Sequence, residues 1–315
     1  MVGSVAIPPG EVLNRLGGTL LGHRAHDTTD RILLAARLPR LVLAASVGTV
    51  LALAGLAAQT LFRNPLATPS IIGVSSGSAL GAVLGLLCLG RTTGVATPAV
   101  VPVFSVASGL AVTAIVFALG RRGSFFGHAL LLAGIAISSL CSSLTTASLY
   151  LAGERLQAIV FWLMGGLWQA NWRAALTLLP LAAGTLLTLW LLAPAMNVAL
   201  VGERSARDLG LNLPRLQRTL LVLIAVTTAV AVSLTGVIGF VGLVVPHLLR
   251  LVIGADHRRL VPASALGGAV LLVMADTLAR TLASPAEIPV GILTAVVGAP
   301  VFLWLLNQRL GRPVP

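Results

Sequence analysis

Long apolar runs alternate with short polar breaks from residue 37 to near the end of the chain. An α-helix needs about 20 apolar residues to cross a bilayer core of roughly 30 Å. We therefore predict an all-α fold, a polytopic transmembrane helical bundle forming a single domain over residues 37–315. The nine predicted spans are 41–62, 71–90, 99–119, 128–151, 174–193, 217–236, 237–253, 262–283 and 287–307.

Three stretches depart from this simple pattern. Residues 1–36 are amphipathic, contain no run long enough to span, and are predicted to form an external N-terminal segment. The stretch 158–170 is apolar but short and carries two tryptophans, which indicates an interfacial or re-entrant helix. Between 235 and 247, three glycines at three-residue spacing predict a helical face with little side chain, kinked by Pro246.

The polar segment 196–218 is the longest charged stretch after Arg40. It holds four arginines and two acids between two long apolar blocks. A conspicuous polar loop in an otherwise lipid-embedded chain predicts a contact with a soluble partner.

Composition supports a membrane protein. Apolar residues make up 57% of the chain and charged residues 10%, too few charges to cover a soluble protein of this length. The net charge is +12, but the basic residues, all arginine, lie at the ends of apolar runs, which is typical of membrane anchors and does not indicate nucleic acid. Cys88 and Cys141 lack metal-ligand spacing, and no nucleotide-binding glycine pattern is present. We predict no catalytic residue, no metal site and no cofactor.

The arginines also predict an orientation. With alternating spans, twelve lie on one side and six on the other, or nine if Arg15, Arg24 and Arg31 are included. The positive-inside rule places the first set in the cytoplasm, together with the 196–218 loop and the C-terminus. Nine spans then leave residues 1–36 outside. Either one more N-terminal helix precedes them or the first span inserts with its N-terminus out, and we favour a further helix, giving ten.

Several local groups have two interpretations. Arg37 and Arg40 either anchor to lipid headgroups or face an external acidic partner, and Asn64-Pro65 forms either a simple turn or a constriction of a pathway. Asp276 and Arg280, four residues apart, predict an intrahelical ion pair near Glu287. A proton relay would need further buried acids on other spans, and the sequence offers none.

The chain resembles the FecCD/BtuC-like family of permease subunits of type II bacterial ABC importers. The resemblance covers 37–307 in order. The matching motifs are RLPR (37–40), QTLFRNPLATPSIIGVSSGSALG (59–81), LLLAGIAIS (130–138), WLMGGL (162–167), MNVALVGERSARDLGL (196–211), GVIGFVGLVVPHLLRL (236–251), DHRRLVPASALGGAVLLVMADTLAR (256–280) and EIPVGILTAVVGAPVFLWLL (287–306).

The resemblance implies ten helices per subunit, the first absent from this sequence, and a site for each partner. Arg37, Arg40 and Arg280 match arginines that dock the extracytoplasmic binding protein, and Asn64 and Leu66 match the cytoplasmic gate. Residues 141–160 and the final span match the pathway wall. The positions that match the coupling to the ATPase are Gly202, Glu203, Arg204, Ala206, Arg207, Leu209 and Gly210.

The sequence thus predicts a permease subunit in the bacterial cytoplasmic (inner) membrane, importing an iron-siderophore-type chelate. Its expected partners are ABC ATPase subunits, a substrate-binding protein, a second permease copy or homologue, and membrane lipid. ATP hydrolysis is expected in the separate ATPase. Haem and cobalamin are alternative substrates, and a secondary transporter driven by an ion gradient is the alternative class.

Overall fold

The computed structural model describes residues 28–92, 100–121 and 126–310, and within these ranges every regular element is a helix. A helical turn, Thr28–Arg31, and a π-helix, Ile32–Arg37, lead into the first long helix. The helices are α1 (Leu38–Leu61), α2 (Val74–Thr92), α3 (Val100–Gly120), α4 (Phe126–Tyr150), α5 (Leu156–Leu163), α6 (Trp172–Leu200), α7 (Glu203–Asp208), α8 (Leu213–Thr235), α9 (Val241–Ile253), α10 (His257–Thr281) and α11 (Val290–Leu310).

Six helices in the described ranges are long and apolar enough to cross a membrane: Thr29–Leu61, Val100–Gly120, Gly127–Tyr150, Trp172–Leu200, Leu213–Thr235 and His257–Thr281. Three shorter apolar helices occupy the other predicted positions, Val74–Cys88, Val241–Ile253 and Val290–Trp304. The prediction of a polytopic bundle is confirmed. The count of nine spans is not, because six of the nine predicted spans contain a helix that is long and apolar enough to cross a membrane. Residues 1–27, most of the predicted external segment, lie outside the described part, as does any further N-terminal helix.

Helix α1 runs through the centre of the bundle, and 18 of its 24 residues are buried. It packs against α6, α8, α9 and α10. The approach is close because glycines face each other. A Cβ at Gly48 would lie 2.1 Å from the Gly268 carbonyl oxygen on α10, and one at Gly55 would lie 1.8 Å from that of Gly242 on α9. Small residues at such crossings let helix backbones touch.

The glycines between α8 and α9 correct one sequence prediction. Gly236 ends α8 in a left-handed conformation with φ of 70°, and residues 236–239 are irregular, so that Gly242 alone of the three lies in a helix. The break packs against the loop after α5, where the Gly166 N–H donates to the Thr235 carbonyl at 2.7 Å. The segment predicted as re-entrant, 158–170, overlaps α5, which begins at Leu156 and has only eight residues.

Polar side chains fix the starts of three helices. Asn171, Asn212 and Asp256 each accept a backbone N–H from the first turn of α6, α8 and α10. Caps of this kind satisfy donors that the helix itself leaves unpaired. They define where the polar connections of the bundle end and its apolar helices begin.

Candidate docking, gating and coupling sites

Arg40, in the first turns of α1, is held by two carboxylates from the other end of the chain. Its Nε donates to both carboxylate oxygens of Asp276 at 3.1 Å, and its Nη2 donates to Oδ1 at 2.9 Å. Its Nη1 and Nη2 also donate to the Glu287 carboxylate at 3.1 and 2.9 Å. Bidentate, charge-assisted bonds of this kind are among the strongest polar contacts in proteins.

The predicted pair between Asp276 and Arg280 is present, with Nε 3.2 Å from Oδ2. Asp276 is 4% exposed and lies between two guanidinium groups. Sequence reasoning missed the Arg40 contact because 236 residues separate the partners. The available signal was the cost of a buried acid in a membrane helix, which favours more than one cationic partner.

The three arginines predicted to dock a binding protein lie together. Arg37, Arg40 and Arg280 line one small cleft of about 90 Å³, with Asp276 at its wall. They are not equivalent, since Arg40 is 15% exposed and bound on two sides by acids. The cluster of these three arginines with Asp276 and Glu287, here called the outer arginine cluster, carries one net positive charge.

At the opposite end of α1, the predicted gate residues Asn64 and Leu66 form a tight turn. The Asn64 side-chain oxygen accepts the Leu66 N–H at 3.0 Å, and Arg63 has φ of 48°. The turn is attached to α9 through His247, whose Nδ1 lies 3.1 Å from the Pro65 carbonyl oxygen. His247 is buried, so the turn and α9 are linked through the protein interior.

The predicted coupling residues form the short helix α7 and its flanks. Ala206 is fully buried and points into the bundle, while Arg204 and Leu209 are exposed. Gly202 and Gly210 have φ of 126° and 78°, conformations that suit glycine at the two sharp turns around α7. Glu203 lies 3.5 Å from Arg63 and 3.6 Å from Arg207. The helix is therefore tied both to the bundle and to the residue preceding the Asn64 turn.

A polar network surrounds the buried side chain of His257 at the start of α10. The His257 ring contacts the Asn197 side-chain oxygen at 2.7 Å through Nδ1 and the Thr60 hydroxyl at 2.9 Å through Nε2. Asn197 also donates to Asp256 at 2.7 Å. That bond, the Arg258 N–H and the nearby Arg258 and Arg259 charges lower the pKa of the Asp256 carboxyl. Sequence reasoning did not find this network, which joins the inner ends of α1, α6 and α10.

Helix α4 has little cover within this chain. Only 17% of its most apolar window is buried, and large side chains such as Leu132 and Ile135 are more than half exposed. Ser138, Ser139 and Ser142 line a cavity of about 470 Å³ together with Ser70. This wall carries hydroxyl groups and no formal charge. The predicted pathway wall at 141–160 overlaps the end of α4. Helix α11, which matches the other predicted part of that wall, has exposed apolar residues such as Val296.

Comparisons with known proteins show the family of the chain. Residues 1–308 match the FecCD transport family. The chain is 44% identical to the hemin transport system permease protein of Yersinia pestis, over 93% of this chain and 89% of that protein. It is 43% identical to a cobalamin import system permease protein of Halobacterium salinarum, over 90% and 75%. The Fe(3+) dicitrate transport system permease protein FecC of Escherichia coli is 38% identical, over 87% and 82%.

A solved structure described as an inward-facing, metal-chelate type ABC transporter has the same fold. Its TM-score is 0.81 at 32% identity, covering 96% of this chain and all of the solved chain. A second structure, a PsaBC complex from Streptococcus pneumoniae, shares the fold at a TM-score of 0.55 and 16% identity, over 88% and 93% of the two chains.

Proposed function

The chain belongs to the FecCD transport family of ABC importer permease subunits. From that premise we propose how it couples to the ATPase, where the binding protein docks and which substrate it carries. It is a multi-pass membrane protein, and its proposed location is the bacterial cytoplasmic membrane. We propose that residues 37–315 act as one permease domain and that the ATPase subunits dock on α7 and its flanks. ATP is hydrolysed in those separate subunits. An extracytoplasmic binding protein delivers the substrate at the opposite end.

The proposal rests on how α7 is attached to the helix bundle. Buried Ala206 fixes this helix to the bundle, and Glu203 connects it to Arg63 at the end of α1. Arg204, Arg207 and Leu209 face outward. A short helix that is rigidly attached on one face and exposed on the other can transmit a partner's rigid-body motion to the spans. The Arg63–Glu203 contact brings that motion directly to the Asn64 turn.

Charge reversal at Arg204 tests the coupling surface. Arg204 is exposed and has no ion-pair partner among the described residues, so Arg204→Glu changes the surface without breaking an internal contact. We expect the affinity for the candidate ATPase, measured by co-purification, to fall about 30-fold or more, which is the range for losing a charged interface contact. Arg207→Glu is a poorer probe because it also disturbs Glu203.

The matched control is Arg173→Glu, an exposed arginine at the start of α6, the opposite end from α7. It should leave ATPase binding unchanged. An intact protein that binds no ATPase, or an Arg204→Glu variant that binds and couples normally, would contradict the assignment of α7.

We propose an iron-siderophore-type chelate as the substrate, with haem or cobalamin as the alternatives. Permeases named for hemin, cobalamin and ferric dicitrate are 44%, 43% and 38% identical to this chain, which favours a bulky metal chelate over a simple ion. The hydroxyl-lined wall of α4 suits a pathway that passes such a cargo without holding it by charge. ATP-dependent uptake into vesicles, compared for radioiron-labelled siderophore, haem and cobalamin, separates the three.

A second copy of this chain is the proposed partner for α4. Its apolar side chains are exposed although the helix is long enough to span, and its serine-lined cavity opens on the same exposed face. A homodimer would enclose that cavity as a central pathway. A homologous permease could take the same place, and mass measurement of the purified complex distinguishes the two.

The alternative of an ion-driven secondary transporter is disfavoured by the surroundings of Asp276. It is the one buried acid among the described residues, and Arg40 and Arg280 both neutralise it. An acid that releases and takes up protons during transport needs a state without such partners. Uptake that follows a proton or sodium gradient in the absence of ATP would overturn this conclusion.

A further inference from the structure

Two cavities meet at the inner ends of α3 and α8. The first, about 740 Å³, is a basic bowl lined at its polar positions by Arg63, Arg121, His128, Arg207, Arg218 and one acid, Glu203. The second, about 440 Å³, continues as a groove between α3 and α8. Phe117, Arg121 and Arg218 line both cavities and form the rim where they join.

The rim has uncompensated positive charge. Glu203, the one acid that lines the bowl, already contacts Arg63 and Arg207. Arg121 and Arg218 are exposed and have no acidic partner within residues 28–92, 100–121 and 126–310. Two adjacent guanidinium groups without a counter-charge attract an anion, and phosphate oxygens suit their geometry.

The groove beyond the rim is apolar and open. It is formed by Leu110, Ala114, Leu221, Val222, Ala225 and Val226. Val222 is 58% exposed, which shows that the groove opens outward from the bundle. The one hydroxyl in it, on Thr113, is donated to the Gly109 carbonyl of its own helix at 2.9 Å. The groove therefore offers apolar contact and no polar partner.

We propose that this rim and groove bind an anionic phospholipid of the cytoplasmic leaflet. Its phosphate lies between Arg121 and Arg218, and one acyl chain lies along the groove between α3 and α8. Basic pockets between helices on the cytoplasmic side are the places where anionic headgroups bind. A soluble anion would contact the two arginines alone. A lipid would contact both the arginines of the rim and the apolar groove that continues from them.

Lipid titration followed by native mass spectrometry tests the site. The full chain, purified in detergent, is titrated with dioleoylphosphatidylglycerol and separately with dioleoylphosphatidylcholine. We expect tight binding of the anionic lipid only. In the Arg121→Gln, Arg218→Gln double variant its affinity should fall about 25-fold, since each arginine near a charged headgroup contributes about fivefold. The control Arg258→Gln, Arg259→Gln removes two exposed arginines from the inner end of α10 and should leave the affinity unchanged.

A second pair of variants separates lipid from a free anion. Ala114→Phe fills the groove and leaves both arginines, while Ala118→Phe places the same ring on an exposed part of α3 outside the groove. Loss of lipid binding in Ala114→Phe but not in Ala118→Phe supports the proposal. Equal binding of the two lipids overturns it, as does competition by glycerol 3-phosphate with no effect of Ala114→Phe, which would indicate a site for a soluble phosphate.

Discussion

Asp276 determines how the outer end of the bundle is held together. A carboxylate inside a membrane helix is costly unless cations neutralise it, and here it receives Arg40 from α1 and Arg280 from its own helix. Glu287 then shares the charge of Arg40 from the loop before α11. Arg40 and Asp276 thereby connect the start of α1 with the end of α10 and the loop that follows it.

Asp276→Asn tests this role. The substitution removes the negative charge and leaves two largely buried guanidinium groups facing each other. Breaking a buried ion pair by removing one partner costs about 3 kcal/mol or more, so we expect a clearly lower unfolding midpoint in detergent. Glu154→Gln, which removes an exposed acid elsewhere, should change the midpoint little. Equal stability of the two variants would show that the contact contributes nothing.

The sequence predicted one contact of Asp276 and missed another, for a physical reason. The pair between Asp276 and Arg280 follows from helical geometry, because residues four apart share a face. The contact of Arg40 with Asp276 depends on which helices are neighbours, and periodicity does not encode that. For the same reason the network of Thr60, Asn197 and His257 could not be predicted from the sequence, although each residue lies within about five positions of a predicted span end.

At the level of helices, the close crossings of α1 with α9 and α10 determine how the bundle packs. The apolar pattern predicted most helices and their order, but it placed Gly236 and Gly239 on a helical face. The chain instead uses them to leave α8 and to start α9 after a break. The glycines that do form close crossings are Gly55 with Gly242, and Gly48 with Gly268. A run of small apolar residues in the sequence indicates that a helix can pack closely, but it does not indicate which helix is the partner.

Gly55→Ala should therefore be strongly destabilising. The added Cβ would lie 1.8 Å from a backbone oxygen of α9, an atom that cannot move aside as a side-chain end could. Overpacking typically costs about 1–3 kcal/mol, and a clash with backbone is expected at the upper end of that range. Titration with sodium dodecyl sulfate, followed by tryptophan fluorescence, measures the loss.

Gly184→Ala is the matched control, because a Cβ there has no neighbour within 4 Å. Alanine is favoured over glycine in a helix by about 1 kcal/mol, so this variant should be neutral or slightly more stable. A Gly55→Ala protein as stable as Gly184→Ala would mean that α1 and α9 do not approach as closely as described.

For the molecule as a whole, the two ends differ in how they present charge. The inner end exposes arginines on α7 and around the basic bowl, whereas the outer arginine cluster hides most of its charge among its own acids. The binding protein proposed for the outer end would meet, in this cluster, one net positive charge on three arginines that differ in their contacts with acids. Arg40 contacts two acids and Arg280 contacts one, and both line the same cleft as Arg37.

This difference predicts different effects of charge reversal. Arg37→Glu should weaken the affinity for the proposed binding protein about fivefold, because a rim ion pair contributes up to about 1 kcal/mol. The effect should shrink at high salt as screening increases. Arg40→Glu should lower stability first, since it places a third acid beside Asp276 and Glu287. Affinity of the purified binding protein for the reconstituted complex at low and high salt, with unfolding midpoints for both variants, separates docking from structure. If Arg40→Glu kept its stability and lost docking while Arg37→Glu docked normally, the internal contacts of Arg40 would have to open when the partner binds.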